Sequence, residues 1–299
     1  MNKKNLKVNC CDGIYKSLDI HFTKKCENKC SFCIDKNTIS LNNGIPNWRE
    51  MALTIIKKKH SFNDILILGG EPCLFLKELN LFIDAIQMNT DLKIYLTSSI
   101  PRNCYINFDL FEKILSKIDG LNLSIQHHDE KIADKIRGRK SKFNRQKFYK
   151  YLPFKNKIRI NLNLIKGFLD SREILNECLQ YYDKMKFNCI KISELQNSPE
   201  NYISFEKIYN VKLPSPYYYG CQTLFDSSRI IFKLNLDTPI LLKRSCFVVE
   251  PTLKASFLDG FKVIYNKYFN KIKDSNFGVV YPDGSLKSGW INVLDFPCT

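Results

Sequence analysis

Three cysteines, Cys26, Cys30 and Cys33, stand within eight residues of the stretch KCENKCSFCIDK. Thiolates are soft ligands for iron and zinc and are strong nucleophiles. At this spacing they could form a metal site, part of a disulfide framework, or a coincidence in a chain with 12 cysteines. Three ligands are one short of the four that closed zinc and iron–sulfur sites take. In a structural site that shortage is a defect; in a reactive site it is an open coordination position. The spacing is too tight for the three thiols to be usefully bonded to one another.

About forty residues later the run ILIL ends in Gly69, Gly70, Glu71 and Pro72. Other polar residues fall at the ends of apolar runs: Ser98 in TSS, Ser124 and Gln126 in LNLSIQ, Asn161 and Asn163 in INLNLI, and Glu194 in KISEL. Arg137 and Arg139 lie in IRGRK and could pair with a carboxylate or phosphate. His127 and His128 follow the fourth run; they could serve as acid, base or ligand, and are read as loop residues with no catalytic role.

The elements that must position these residues follow from hydrophobic period. Strands are predicted over Ser17–Phe22, Ile65–Leu68, Leu92–Thr97, Leu121–Gln126, Ile158–Ile165 and Cys189–Leu195. Helical spacing between them marks Phe75, Leu79, Phe82, Ile83 and Ile86; then Phe111, Ile114, Leu115 and Ile118; then Ile174, Leu175, Cys178, Leu179 and Tyr182. Strands alternating with helices imply parallel pairing through right-handed crossovers. Six such units predict an α/β protein, a partial (β/α)6 barrel with its chemistry at the C-terminal strand ends. The division expected is an N-terminal extension over 1–14, the barrel over 15–196, and a smaller α+β appendage over 197–299 that caps it and binds substrate. Within the appendage, YPDGS predicts a hairpin turn.

The C-x-x-x-C-x-x-C loop after the first strand and the GGEP turn after the second resemble the radical S-adenosylmethionine (SAM) superfamily. The nearest architectures are the molybdenum-cofactor cyclase and the peptide maturases. The resemblance covers about Ser17–Gln196. It implies that Cys26, Cys30 and Cys33 hold a [4Fe–4S] cluster whose fourth iron binds SAM. It further implies that Phe32 lies near the adenine and that Gly69, Gly70, Glu71 and Pro72 hold the methionine amino group. Ser98, Ser124, Gln126, Asn163 and Glu194 would be further SAM contacts. The reaction expected is reductive SAM cleavage to a 5′-deoxyadenosyl radical, which takes a hydrogen atom from a small molecule or peptide. The cofactors would supply the reactivity and the protein the positioning. A flavodoxin or ferredoxin reductase is the expected electron donor. Many relatives carry auxiliary clusters marked by C-x-x-C pairs. Here only Cys221, Cys246 and Cys298 follow residue 196, widely spaced. They leave room for a second cluster, and Cys221 or Cys246 is a candidate catalytic thiol.

Composition sets the remaining alternatives. The 299 residues are 44% hydrophobic and 25% charged, with no run long enough for a membrane span and no apolar leader, so a cytoplasmic protein is expected. The net charge is +16, and residues 135–169 hold twelve basic residues and no acidic one. That block suits RNA, an acidic peptide or a phosphorylated molecule. It motivates a second reading, a radical SAM enzyme of RNA or deazapurine nucleoside modification. A third reading is a non-catalytic nucleic-acid-binding protein stabilised by zinc, with Cys10, Cys11 or His21 as the fourth ligand.

Overall fold

The computed structural model describes residues 17–33, 35, 44–141, 143–195, 198–210, 240–243 and 278–287. Nine strands form one sheet: β1 Ser17–Thr23, β2 Asp64–Gly69, β3 Lys93–Ser98, β4 Gly120–Ile125, β5 Ile158–Leu164, β6 Cys189–Glu194, β7 Ile240–Lys243, β8 Gly278–Val280 and β9 Leu286–Lys287. The spatial order is β7-β6-β5-β4-β3-β2-β1-β8-β9. All neighbours pair in parallel except β8 and β9. β1 to β6 thus lie side by side in chain order, as expected for the partial barrel, and among the described strands the ladder does not close on itself.

The helices are α1 Trp48–Lys57, α2 Leu76–Asn89, α3 Arg102–Ile106, α4 Phe108–Lys117, α5 Glu130–Arg137, α6 Arg145–Tyr149, α7 Arg172–Asp183 and α8 Phe205–Tyr209. Their apolar faces are those read from the period. α2 buries Leu79, Phe82, Ile83 and Ile86, α4 buries Phe111, Ile114 and Leu115, and α7 buries Leu175, Cys178, Leu179 and Tyr182. Each such side chain contributes about 1.5–3 kcal/mol on leaving water. The ends are capped by side chains. Asp129 accepts from Lys131 N and Ile132 N at the start of α5, and Ser171 from Ile174 N at the start of α7.

A strand's side chains alternate between faces, and β5 shows the consequence. Ile158, Ile160, Leu162 and Leu164 are buried in the apolar core, while Arg159, Asn161 and Asn163 on the other face are half-buried. This polar face is what a half-barrel turns toward its cleft.

The expected hairpin is present as β8–β9, closed by Gly284 N donating to Tyr281 O (2.8 Å), with Gly284 at φ +85°. It extends the main sheet, because β8 pairs with β1 (Leu18 with Gly278, Ile20 with Val280). The hairpin loop also docks on α1, where Asn47 N donates to Pro282 O (2.9 Å) and Thr54 Oγ1 to Gly284 O (2.8 Å). At the other edge β7 pairs with β6, so three strands from beyond residue 197 belong to this sheet.

Candidate functional site

The three-cysteine loop leaves β1 and is held from four directions. Gly70 N donates to Thr23 O (2.6 Å) and Glu71 N to Lys25 O (2.8 Å), tying it to the turn after β2. Asn28 Nδ2 donates to Ser99 Oγ (2.9 Å), beyond β3. Lys29 N donates to Arg137 O (2.7 Å) at the end of α5, whose left-handed Gly138 (φ +62°) lets Lys29 come close. Arg139 donates to Glu27 O (3.1 Å) and pairs with its carboxylate (3.3 Å). Beyond Cys33, Asp35 Oδ1 lies 2.5 Å from Nε2 of the buried His21 of β1. Ligands mounted on a loop fixed in this way have little freedom to lose on binding a metal.

The Gly-Gly-Glu-Pro turn packs directly against the cysteine loop. A Cβ on Gly70 would lie 2.3 Å from Lys25 O and 2.7 Å from Lys24 O, and one on Gly69 (φ +123°) 2.6 Å from Thr23 O. The glycines are required because the backbone of the cysteine loop presses on them. Glu71 is buried, and its carboxylate accepts four hydrogen bonds: from Ser98 Oγ (2.7 Å), Ser99 N (2.8 Å), Ser99 Oγ (2.7 Å) and Cys73 N (3.2 Å). Burial raises its pKa, opposed by these donors. Glu71 therefore clamps the β2 turn to the end of β3.

Between these parts lies a cleft of about 360 Å3 at the C-terminal strand ends. Of the residues singled out from the sequence, Cys26, Cys30, Cys33, Phe32, Gly69, Gly70, Glu71, Ser98, Ser124, Gln126 and Asn163 line it. Two polar atoms of its lining, Gln126 Oε1 and Asn28 Oδ1, are buried without a hydrogen-bond partner among the described residues. Such atoms are costly unless a polar ligand reaches them. Desolvation pushes the Cys26 thiol up to about 12; Glu71, Cys30 and Cys33 add to the rise, and the Asn28 N–H opposes it. A metal centre reverses that balance, since coordination deprotonates a thiol. Three sulfur donors, a neighbouring cleft and unpartnered polar atoms fit an iron–sulfur cluster that shares its site with a polar small molecule.

Several residues lie elsewhere. Pro72 is buried as the first residue of a 3₁₀ turn and is absent from the lining. Glu194 is absent too; it is buried at the end of β6, and its Oε1 accepts from Phe205 N (2.9 Å) at α8. Arg137 is buried against Glu130 (2.5 Å) and Asp134 (2.8 Å), and Arg139 serves Glu27. His127 lies in the loop between β4 and α5 and is buried there: its Nδ1 accepts from Asp129 N (2.9 Å), and its carbonyl accepts from Gln146 (2.9 Å) and Tyr182 (3.0 Å). His128 stacks on it and lies 3.0 Å from Cys178 Sγ. Cys221, Cys246 and Cys298 are outside the described residues. Lys24, Asn28, Asp35, Leu68, Thr97 and Ser99 also line the cleft. Of these, Thr97 and Ser99 were legible beside Ser98, whereas nothing in the sequence marked Asn28 as aimed inward.

A sheet that runs β1 to β6 in order, with a three-cysteine loop after its first strand, is an open half-barrel with three thiols at one end. The family model described as "4Fe-4S single cluster domain" matches residues 14–145. Among solved structures, Streptococcus suis SuiB bound to S-adenosylmethionine is similar over 95% of this chain and 64% of its own, at TM-score 0.57 and 18% identity. SuiB bound to the precursor peptide SuiA is similar over 95% and 63%, at TM-score 0.59 and 16% identity. The chain thus spans slightly under two thirds of SuiB's length. No curated protein matches the sequence significantly. The matched domain is thus one described for a single 4Fe-4S cluster, and the likeness to SuiB shows that the two chains share a fold.

Proposed function

We propose that the chain is a radical SAM enzyme acting on a peptide or small molecule. The observation that carries this reading is that Cys26, Cys30 and Cys33, the turn residues Gly69, Gly70 and Glu71, and two buried polar atoms without a partner among the described residues line one cleft. Cys26, Cys30 and Cys33 would hold a [4Fe–4S] cluster, leaving one iron for SAM. Bound together, cluster and SAM supply reductive cleavage of a sulfonium bond and hence a carbon radical that takes a hydrogen atom from the substrate.

The chain's own residues do the positioning. Gly69 and Gly70 admit the cysteine loop beside the cleft, and Glu71 with Ser98 and Ser99 fixes the wall opposite it. Phe32 offers an aromatic face at the third cysteine. Asn28 and Gln126 offer the polar atoms left without a partner, and Ser124 and Asn163 offer further hydrogen bonds across the cleft. A peptide substrate is supported by the SuiB fold, which is known with a precursor peptide bound. A reductase is required to deliver the electron.

Anaerobic reconstitution tests the reading. The wild-type chain should take up about four iron and four sulfide per chain, and Cys30→Ala should take up almost none. Zinc without iron after the same treatment would overturn the reading in favour of a structural metal site.

A further inference from the structure

A second cavity, of about 130 Å3, adjoins the cysteine loop. Cys26 and Asn28 line the main cleft, and Glu27 between them lines this one. Its other walls are Arg102, Arg139, Arg145, Ser141 and Phe143. Three arginines and one glutamate therefore line it, with Glu130 close to Arg145.

The three arginines differ in commitment. Arg145 is buried, with Nε donating to Ile100 O (3.1 Å), its guanidinium 5.1 Å from the Phe143 ring centre, and Nη1 3.8 Å from Glu130 Oε1. It forms a rigid cationic floor. Arg139 is about one-third exposed and shared with Glu27. Arg102, the first residue of α3, is exposed and makes no hydrogen bond or ion pair among the described residues. Like charges gathered around a small cavity are unfavourable unless an anion offsets them. The guanidinium fork matches the oxygens of carboxylates and phosphates, often two at a time. A cavity of about 130 Å3 has room for one such group.

We propose that this pocket is an oxyanion site that takes a single phosphate or carboxylate group between Arg102 and Arg139, above Arg145. The proposal needs neither the cluster nor SAM and stands apart from the radical reading. It also gives the basic stretch around Arg139 and Arg145 a specific role. An anion that draws on Arg139 competes with Glu27, which lies between Cys26 and Cys30, so occupancy of the pocket acts directly on the cysteine loop.

Isothermal titration of the full chain as purified, with no added iron, tests this with inorganic phosphate and with glutarate in separate runs. At least one should bind saturably. Arg102→Ala should weaken that binding about tenfold or more, the worth of a charge-assisted hydrogen bond, and Arg102→Lys should weaken it less. Glu27→Gln should tighten it by removing the internal competitor. Phosphate alone, or glutarate alone, identifies which group the pocket takes. Saturable binding of neither, or Arg102→Ala binding as tightly as wild type, overturns the proposal.

Discussion

Gly70→Ala perturbs the contact on which the site geometry rests. The new Cβ would lie 2.3 Å from Lys25 O and 2.7 Å from Lys24 O. Both are backbone atoms, so no side chain can swing away. Bringing the first contact out to 3.0 Å requires the loop and turn to part by at least 0.7 Å. That movement strains the two bonds joining them, Gly70 N to Thr23 O and Glu71 N to Lys25 O. Overpacking of this kind costs roughly 1–3 kcal/mol, and losing one hydrogen bond about 1 kcal/mol more. Together these come to ~2–4 kcal/mol, a fall in Tm of roughly 3–6 °C for a chain of this size. Cys26 follows Lys25 directly, and a metal site tolerates only about 0.5 Å of misplacement, so iron uptake should fall further than stability. The assay pairs iron and sulfide content after reconstitution with thermal unfolding by circular dichroism. Gly167→Ala is the control. Gly167 has φ +84° with nothing within 4 Å of an added Cβ, so only the left-handed strain of about 1–2 kcal/mol applies, with iron uptake unchanged. Wild-type iron content and Tm in Gly70→Ala, or equal loss of iron in Gly167→Ala, would refute the reasoning.

Burial, aided by His128, lowers the His127 pKa to about 4. The folded state therefore binds fewer protons than the unfolded one, and His127 favours folding fully above pH ~6.5 and progressively less as pH falls toward 4. At about 1.36 kcal/mol per pH unit this reaches ~3 kcal/mol. His127→Asn keeps an acceptor for Asp129 N, so its urea midpoint should change less than the wild type's between pH 7.5 and pH 5. Glu71→Gln turns an amide NH2 toward donors that the carboxylate now accepts from, and should cost about 2–4 kcal/mol in urea unfolding, while Glu71→Asp should not restore the clamp. Cys73→Ala and Cys104→Ala remove buried sulfurs that lie outside the cleft lining; both should lower Tm yet leave iron uptake per folded chain unchanged.

The six central strands were legible because a half-barrel imposes one strong rule on each. Helix-facing positions must be apolar, so Ile158, Ile160, Leu162 and Leu164 mark their strand whatever lies opposite. The cysteine loop and the Gly-Gly-Glu-Pro turn were legible because each places its functional groups within a few consecutive residues. What depends on distant pairing was not legible. β8 joins β1 across about 260 residues of chain, and a three-residue strand has no period by which to be placed. The same limit applied to single side chains. Glu194 read as a cleft residue from its place at a strand end, but its carboxylate meets the amide of Phe205, whose position only the fold defines. Arg139 was legible as a partner for a carboxylate, but not that the carboxylate is Glu27 of the cysteine loop. The contact of the two glycines with the cysteine loop was not legible, because the sequence does not say which backbone will come near.

The most direct test of the central claim is SAM cleavage by the anaerobically reconstituted chain under a strong reductant, followed as 5′-deoxyadenosine and methionine. The account predicts both products in equal amounts from the wild type and neither from Cys30→Ala. A chain that carries about four iron and four sulfide yet leaves SAM intact, or a Cys30→Ala chain that cleaves it as well as the wild type, would contradict it.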